Sequence, residues 1–150
     1  MRTLYVSLRS IRQGLGTYLL AYDHSESAQK ALTRTLGLVS PRDLVVLVWV
    51  VPSSSDGPMT SFAVEEEGDR ARRLEKLNEA VALVKREGRQ AAALLLEGPP
   101  AETIVATGDR LGADLIILGH AGVSHIGPLR LGSVAERVAE LSNRRVLIVK

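Results

Sequence analysis

Leu115-Ile-Ile-Leu-Gly-His-Ala-Gly122, followed after nine residues by Gly132-Ser-Val-Ala-Glu-Arg-Val-Ala-Glu-Leu141, decides how this chain folds. The four consecutive apolar residues Leu115 to Leu118 predict a buried strand. Val134 to Leu141 predicts a helix. A glycine-rich loop between a strand and a helix start presents bare backbone N–H groups. Those groups, with the positive end of the helix dipole, suit a phosphate. Gly122 and Gly132 allow the backbone close to an anion, and Ser133 adds a hydroxyl donor.

The alternation of strand and helix extends upstream. Tyr18 to Tyr22 reads as a strand, and Asp23 to Ser27 supplies helix-start chemistry. Either Asp23 or Ser25 can cap, and Asp23 with Glu26 makes a capping-box-like pair. Ala28, Leu32 and Leu36 share one face of the helix that follows, and Gly37 is placed to end it. Pro41-Arg-Asp43 makes a turn. Leu44-Val-Val-Leu-Val-Trp-Val-Val51 is apolar throughout, as in a parallel-sheet strand covered on both faces. Pro52 to Thr60 reads as a loop, and Glu65 to Glu87 as a helix with Ala71, Leu74, Leu77, Val81 and Val84 on its apolar face. Gly88 is placed to end that helix. Gln90 to Leu96 reads as a strand. Gly98-Pro-Pro100 starts a helix that runs to about Leu111 with an interruption at Gly108. Ala113 to Gly119 and Arg145 to Lys150 are the last two strands. Strands separated by helices give crossover units and a parallel α/β sheet with helices on both faces.

Bulk properties fit one domain. The 150 residues are 45% hydrophobic and 24% charged, the balance of an ordinary globular protein. There is no cysteine, which excludes disulfide and thiolate chemistry. The run Leu44 to Val51 is too short to span a bilayer. No signal-peptide pattern is evident, so the expected location is cytoplasmic, with no membrane partner. The net charge of +2 comes from Arg2, Arg9 and Arg12 near the N-terminus, while the rest is nearly balanced. With 3% aromatics and interleaved charges, nothing resembles a nucleic-acid footprint.

Four segments in order resemble the universal stress protein family over about Thr17 to Lys150. Leu19-Leu-Ala-Tyr-Asp23-His-Ser25-Glu-Ser27-Ala28 resembles the family's first strand and its Asp-x-Ser turn. Val46 to Val51 resembles the second strand, and Gly98-Pro-Pro-Ala-Glu102 with Ile104 the start of the third helix. Gly119-x2-Gly122-x9-Gly132-Ser133 resembles the ATP-binding signature of the nucleotide-binding branch. The resemblance implies an open, Rossmann-like parallel sheet of five strands in the order 3-2-1-4-5. That order reverses between strands 1 and 4, where ligands of open α/β sheets bind.

Carried over by position, the resemblance implies a cofactor site for ATP. Asp23 would accept hydrogen bonds near the ribose or adenine. Ala21 and Tyr22 would line the base pocket, and Val50 would contact the adenine. Gly119 and Gly122 would border the ribose and phosphates, and Arg130 is the one basic side chain of that loop. Gly132, Ser133 and Val134 would hold the β- and γ-phosphates, with Mg2+ neutralising the remaining charge. The chain departs from the family pattern at His24, usually glycine or a phenylalanine-like residue, and at Ala135, commonly Ser or Thr. Pro128 stiffens the loop.

Plainer readings stand beside these. On the residues alone Asp23 and Ser133 read as helix caps, and Val50 as core. His24, His120 and His125 do not form a hydrolase triad with Ser133, since no nucleophile elbow is present, and the His120/His125 spacing is not that of a metal site. No catalytic residue is assigned. The expected function is an ATP-binding, nucleotide-responsive stress regulator with at most slow hydrolysis, since no general base stands out. The family implies a homodimer through Val146 to Val149, a strand that would otherwise leave an open edge. The alternatives are a dimeric scaffold that binds no nucleotide, and an ATPase or adenylyl-transfer enzyme. Against the last, Asp23-His24-Ser25 contains no glycine for a phosphate loop after strand 1. Residues 1–16 form an N-terminal arm, read either as an extra edge strand over residues 3–8 or as an unstructured basic tail.

Overall fold

A computed structural model describes residues 16–53, 67–121 and 131–150. In these residues the elements run β1 (Thr17–Ala21), α1 (Glu26–Leu38), β2 (Leu44–Val51), α2 (Glu67–Arg86), β3 (Gln90–Glu97), α3 (Pro100–Leu111), β4 (Leu115–Gly119), α4 (Ser133–Leu141) and β5 (Val146–Val149). The strands form one parallel sheet in the order β3-β2-β1-β4-β5. This is the order that the resemblance implied. The arm upstream of Gly16, most of the loop after Pro52 and the first residues of the second predicted helix lie outside the described residues.

Successive strand residues point to opposite faces, so each strand feeds two cores. On one face Leu20, Val45, Leu47 and Ile117 pack with Ala28, Ala31 and Leu32 of α1 and with Leu77, Ala80 and Val84 of α2. On the other, Leu19, Val46, Val48, Ile116 and Leu118 pack with Ala101 and Ile104 of α3 and Val138 of α4. Val45 to Val48 are all buried, which explains the unbroken apolar run of β2. Full burial of each such side chain contributes about 1.5–3 kcal/mol.

Several boundaries differ from the sequence reading for local reasons. Ser25 is the cap of α1, its Oγ accepting the Ala28 N–H at 3.2 Å. Asp23 lies two residues upstream and accepts the Ser25 N–H at 3.0 Å, so it supports the cap rather than serving as it. Gly37 does not end α1, which continues to Leu38. Gly88, with φ of 79°, does end α2 as expected. Gly108 does not interrupt α3: its bare Cα faces Ile116, whose Cδ1 would stand 2.8 Å from an added Cβ. In α2 the buried face is Leu77, Ala80 and Val84, while Ala71 and Leu74 are exposed. Asp43 is more than a turn residue. It is buried, and its Oδ1 and Oδ2 accept the N–H groups of Gly16 (2.8 Å) and Ser40 (2.7 Å), tying the start of β1 to the turn before β2.

Candidate functional site

β1 and β4 are neighbours in register, with Leu20 beside Ile117, and their connections leave toward opposite faces of the sheet. The segments after both strands therefore open at one crevice. On the β1 side, Tyr22 N–H extends the ladder to the Val48 carbonyl at 2.9 Å. The chain then turns through His24, whose φ of 61° is left-handed. A side chain rarely adopts that conformation. His24 Nδ1 lies 3.2 Å from the Tyr22 hydroxyl, and Gln29 Nε2 donates to the His24 carbonyl at 2.9 Å. These contacts hold the turn and with it Asp23.

On the β4 side, Gly119 is the last strand residue. A Cβ there would stand 2.2 Å from Ser27 Oγ and 2.7 Å from the Ser27 carbonyl carbon. Only glycine allows this approach. The Ala121 N–H donates to Ser27 Oγ at 3.2 Å, and His120 N–H donates to the Val149 carbonyl at 2.9 Å. Gly132 N–H returns to the His120 carbonyl. An added Cβ on Gly132 would meet the Ala121 oxygen at 2.6 Å. The two ends of the glycine loop thus close on each other at residues 119–121 and 132. Gly132 is the cap of α4 and brings no side-chain acceptor, so Ser133 is the first helical residue rather than the cap. The first-turn N–H groups of a helix lack intrahelical partners, and here they begin beside the crevice.

The sequence-predicted residues fall into groups. Asp23, Gly119, Gly132 and Ser133 come from segments that Ser27 and His120 stitch together. Ala21, Val50 and Val134 share the α3/α4 face, each partly buried. Tyr22 does not join them: its side chain is buried in the α1/α2 core, so it meets the crevice through its backbone and its hydroxyl contact to His24. Burial pushes the Tyr22 phenol above its ordinary pKa, and Glu79 and Asp23 push it further. Gly122 and Arg130 lie outside the described residues. The sequence reading counts Ser27 in the helix start and gives it no part in the site. Its signal was a small polar residue on the buried stripe Ser27, Ala28, Ala31, Leu32 and Thr35 of α1.

Residues 16–150 match the model of the universal stress protein family. The chain belongs to this family. Among its relatives is the Thermus aquaticus universal stress protein in the QAH/OAS sulfhydrylase 3′ region, 34% identical over 138 residues, covering 89% of this chain and 98% of the relative. The solved structure of hypothetical protein MJ0577 superposes with a TM-score of 0.79 at 27% identity, covering 89% of this chain and 94% of that one. MJ0577 is a universal stress protein of Methanocaldococcus jannaschii. A universal stress protein solved in complex with cAMP superposes with a TM-score of 0.67 at 25% identity, covering 91% of this chain and 97% of that one. That relative therefore binds an adenine nucleotide on this fold. Among the described residues no helix is long and apolar enough to cross a membrane.

Proposed function

We propose that the crevice between β1 and β4 binds ATP, and that the protein is a nucleotide-responsive stress regulator of the cytoplasm with at most slow hydrolysis. One observation carries this reading. The turn after β4 and the start of α4 close on each other through the Gly132 N–H and the His120 carbonyl, which supports an N-terminus of α4, without a side-chain cap, at the crevice. The two glycines serve this arrangement indirectly: added Cβ atoms would press Gly119 against Ser27 and Gly132 against the Ala121 oxygen, and so displace the turn and the start of α4. The relative solved with cAMP supports an adenine nucleotide as the ligand class.

In this reading Asp23 accepts from the ribose or adenine, with Ala21, Tyr22 and Val50 beside the base. Gly119, Gly122 and Arg130 border the phosphates. Gly132, Ser133 and Val134 hold the β- and γ-phosphates through N–H groups and the Ser133 hydroxyl. Among the described residues no group of three or more His, Asp or Glu stands ready for a metal ion, so Mg2+ would be held chiefly by the phosphates. A second copy would pair with β5, the outer strand next to β4, to give a homodimer. Mass spectrometry of small molecules released on denaturing the freshly purified protein tests the reading. An adenine nucleotide in near-stoichiometric amount is expected. Release of a different ligand class from the folded protein would contradict it.

A further inference from the structure

We propose that Ser27 is a positioning residue for the phosphate-binding turn, acting through Ala121, with His120 orienting its hydroxyl. The proposal rests on the nucleotide reading above and deepens it. Ser27 sits in the first turn of α1, an element with no place in the glycine signature, yet its side chain is only 6% exposed. Its Oγ is the acceptor for the Ala121 N–H at 3.2 Å. His120 Nδ1 stands 3.5 Å away, within reach of the hydroxyl proton when that nitrogen is the acceptor. A buried hydroxyl with both its acceptor and its donor directed at consecutive residues of one turn fixes that turn.

The consequence reaches the ligand by a short path. Residues 120 and 121 are the floor on which the far end of the loop lands. The His120 carbonyl accepts the Gly132 N–H, and the Ala121 oxygen occupies the space that a Gly132 side chain would need. Gly132 in turn caps α4, whose first N–H groups face the phosphates in our reading. The turn that carries Asp23 is held independently, by the Asp23–Ser25 and Ser25–Ala28 bonds. Loss of the Ser27 hydroxyl therefore loosens the phosphate side of the crevice and leaves the nucleoside side in place. A serine that merely stabilised α1 would not divide the ligand in this way.

Ser27→Ala keeps the Cβ and the helix propensity, so the variant should fold. Two readouts on the full chain test the proposal. The first is hydrogen exchange at the Ala121 amide, which needs no ligand; exchange should accelerate about three- to tenfold in Ser27→Ala, the loss of one modest hydrogen bond. The second compares affinities for adenosine, AMP and ATP. ATP binding should weaken by a similar factor, while adenosine binding changes by less than about twofold. Equal weakening for adenosine and ATP, or an Ala121 amide that exchanges as in the parent, would overturn the proposal. If the parent protein binds no nucleotide while the Ala121 amide responds as expected, the nucleotide reading fails and the Ser27 latch stands.

Discussion

Gly119 packs its bare Cα directly against Ser27, with no room for a methyl group between β4 and the first turn of α1. An added Cβ would meet the Ser27 hydroxyl and the Ser27 backbone at once. Gly119→Ala is therefore expected to destabilise the fold by about 1–3 kcal/mol, the usual cost of overpacking. Truncating Ser27 should not rescue it, because the backbone carbon and oxygen remain at 2.7 Å. Gly37, inside α1 with open space around it, is the matched control, and Gly37→Ala should stabilise by about 0.5–1 kcal/mol. Urea unfolding midpoints of the two variants check both signs.

His24 holds a left-handed backbone without being glycine. Both His24→Gly and His24→Ala lose the contact to the Tyr22 hydroxyl, but only glycine relieves the backbone. His24→Gly should be more stable than His24→Ala by about 1 kcal/mol. Equal melting temperatures would show that the turn relaxes around residue 24.

Arg144 joins the far end of the fold. Its Nε donates to Asp109 Oδ1 at 2.8 Å, Nη1 to the Ala113 carbonyl at 3.0 Å and Nη2 to the Asp109 carbonyl at 3.2 Å. These bonds tie the C-terminal end of α3 to the turn before β5. Arg144→Ala should cost about 1–2 kcal/mol, and Arg144→Lys should recover little, because an ammonium cannot reach all three acceptors. The loss should leave nucleotide affinity unchanged, since the residue lies at the opposite end of the sheet from the crevice. A large change in affinity would count against that separation.

The alkaline limb of stability follows from two tyrosines. Burial raises the pKa of Tyr18, with Asp43 and Asp114 adding to it, and burial raises that of Tyr22, with Glu79 and Asp23 adding to it. A phenol whose folded-state pKa is raised favours the folded state fully below the ordinary value of about 10. Above that value the unfolded chain ionises first and holds fewer protons, so stability falls as pH rises toward the raised values. Among the described residues the Tyr18 hydroxyl has no hydrogen-bond partner. Tyr18→Phe should therefore leave stability near neutral pH unchanged or raised and reduce the alkaline loss. Urea midpoints between about pH 8 and about pH 11 measure it. A parent protein whose stability rises over that range would contradict the assignment.

The layer order was legible because the apolar run of β2 and the glycines after β4 carry strong local signals, and the family resemblance supplied the strand order. The caps were less so. Asp23 and Ser25 are both good caps by residue type, and only the bond to Ala28 decides between them. Gly108 looks like a helix breaker in isolation, yet packing against Ile116 gives it a reason to be helical. Ala71 and Leu74 match the helical period of α2 yet are exposed, because periodicity gives a face and not how far along the helix that face is covered. Ser27, Asp43 and Arg144 each act across long sequence separations through backbone groups. Such partners leave no side-chain pattern to read.

The most direct test of the central claim is calorimetric titration of ATP into the parent protein and into Gly132→Ala, with circular dichroism confirming that both are folded. The account predicts saturable binding at one site per chain in the parent. In Gly132→Ala, where the new methyl would press on the Ala121 oxygen at 2.6 Å and displace the start of α4, affinity should fall at least about tenfold. A folded parent that shows no saturable binding at millimolar ATP, or a variant that binds as tightly as the parent, would contradict it.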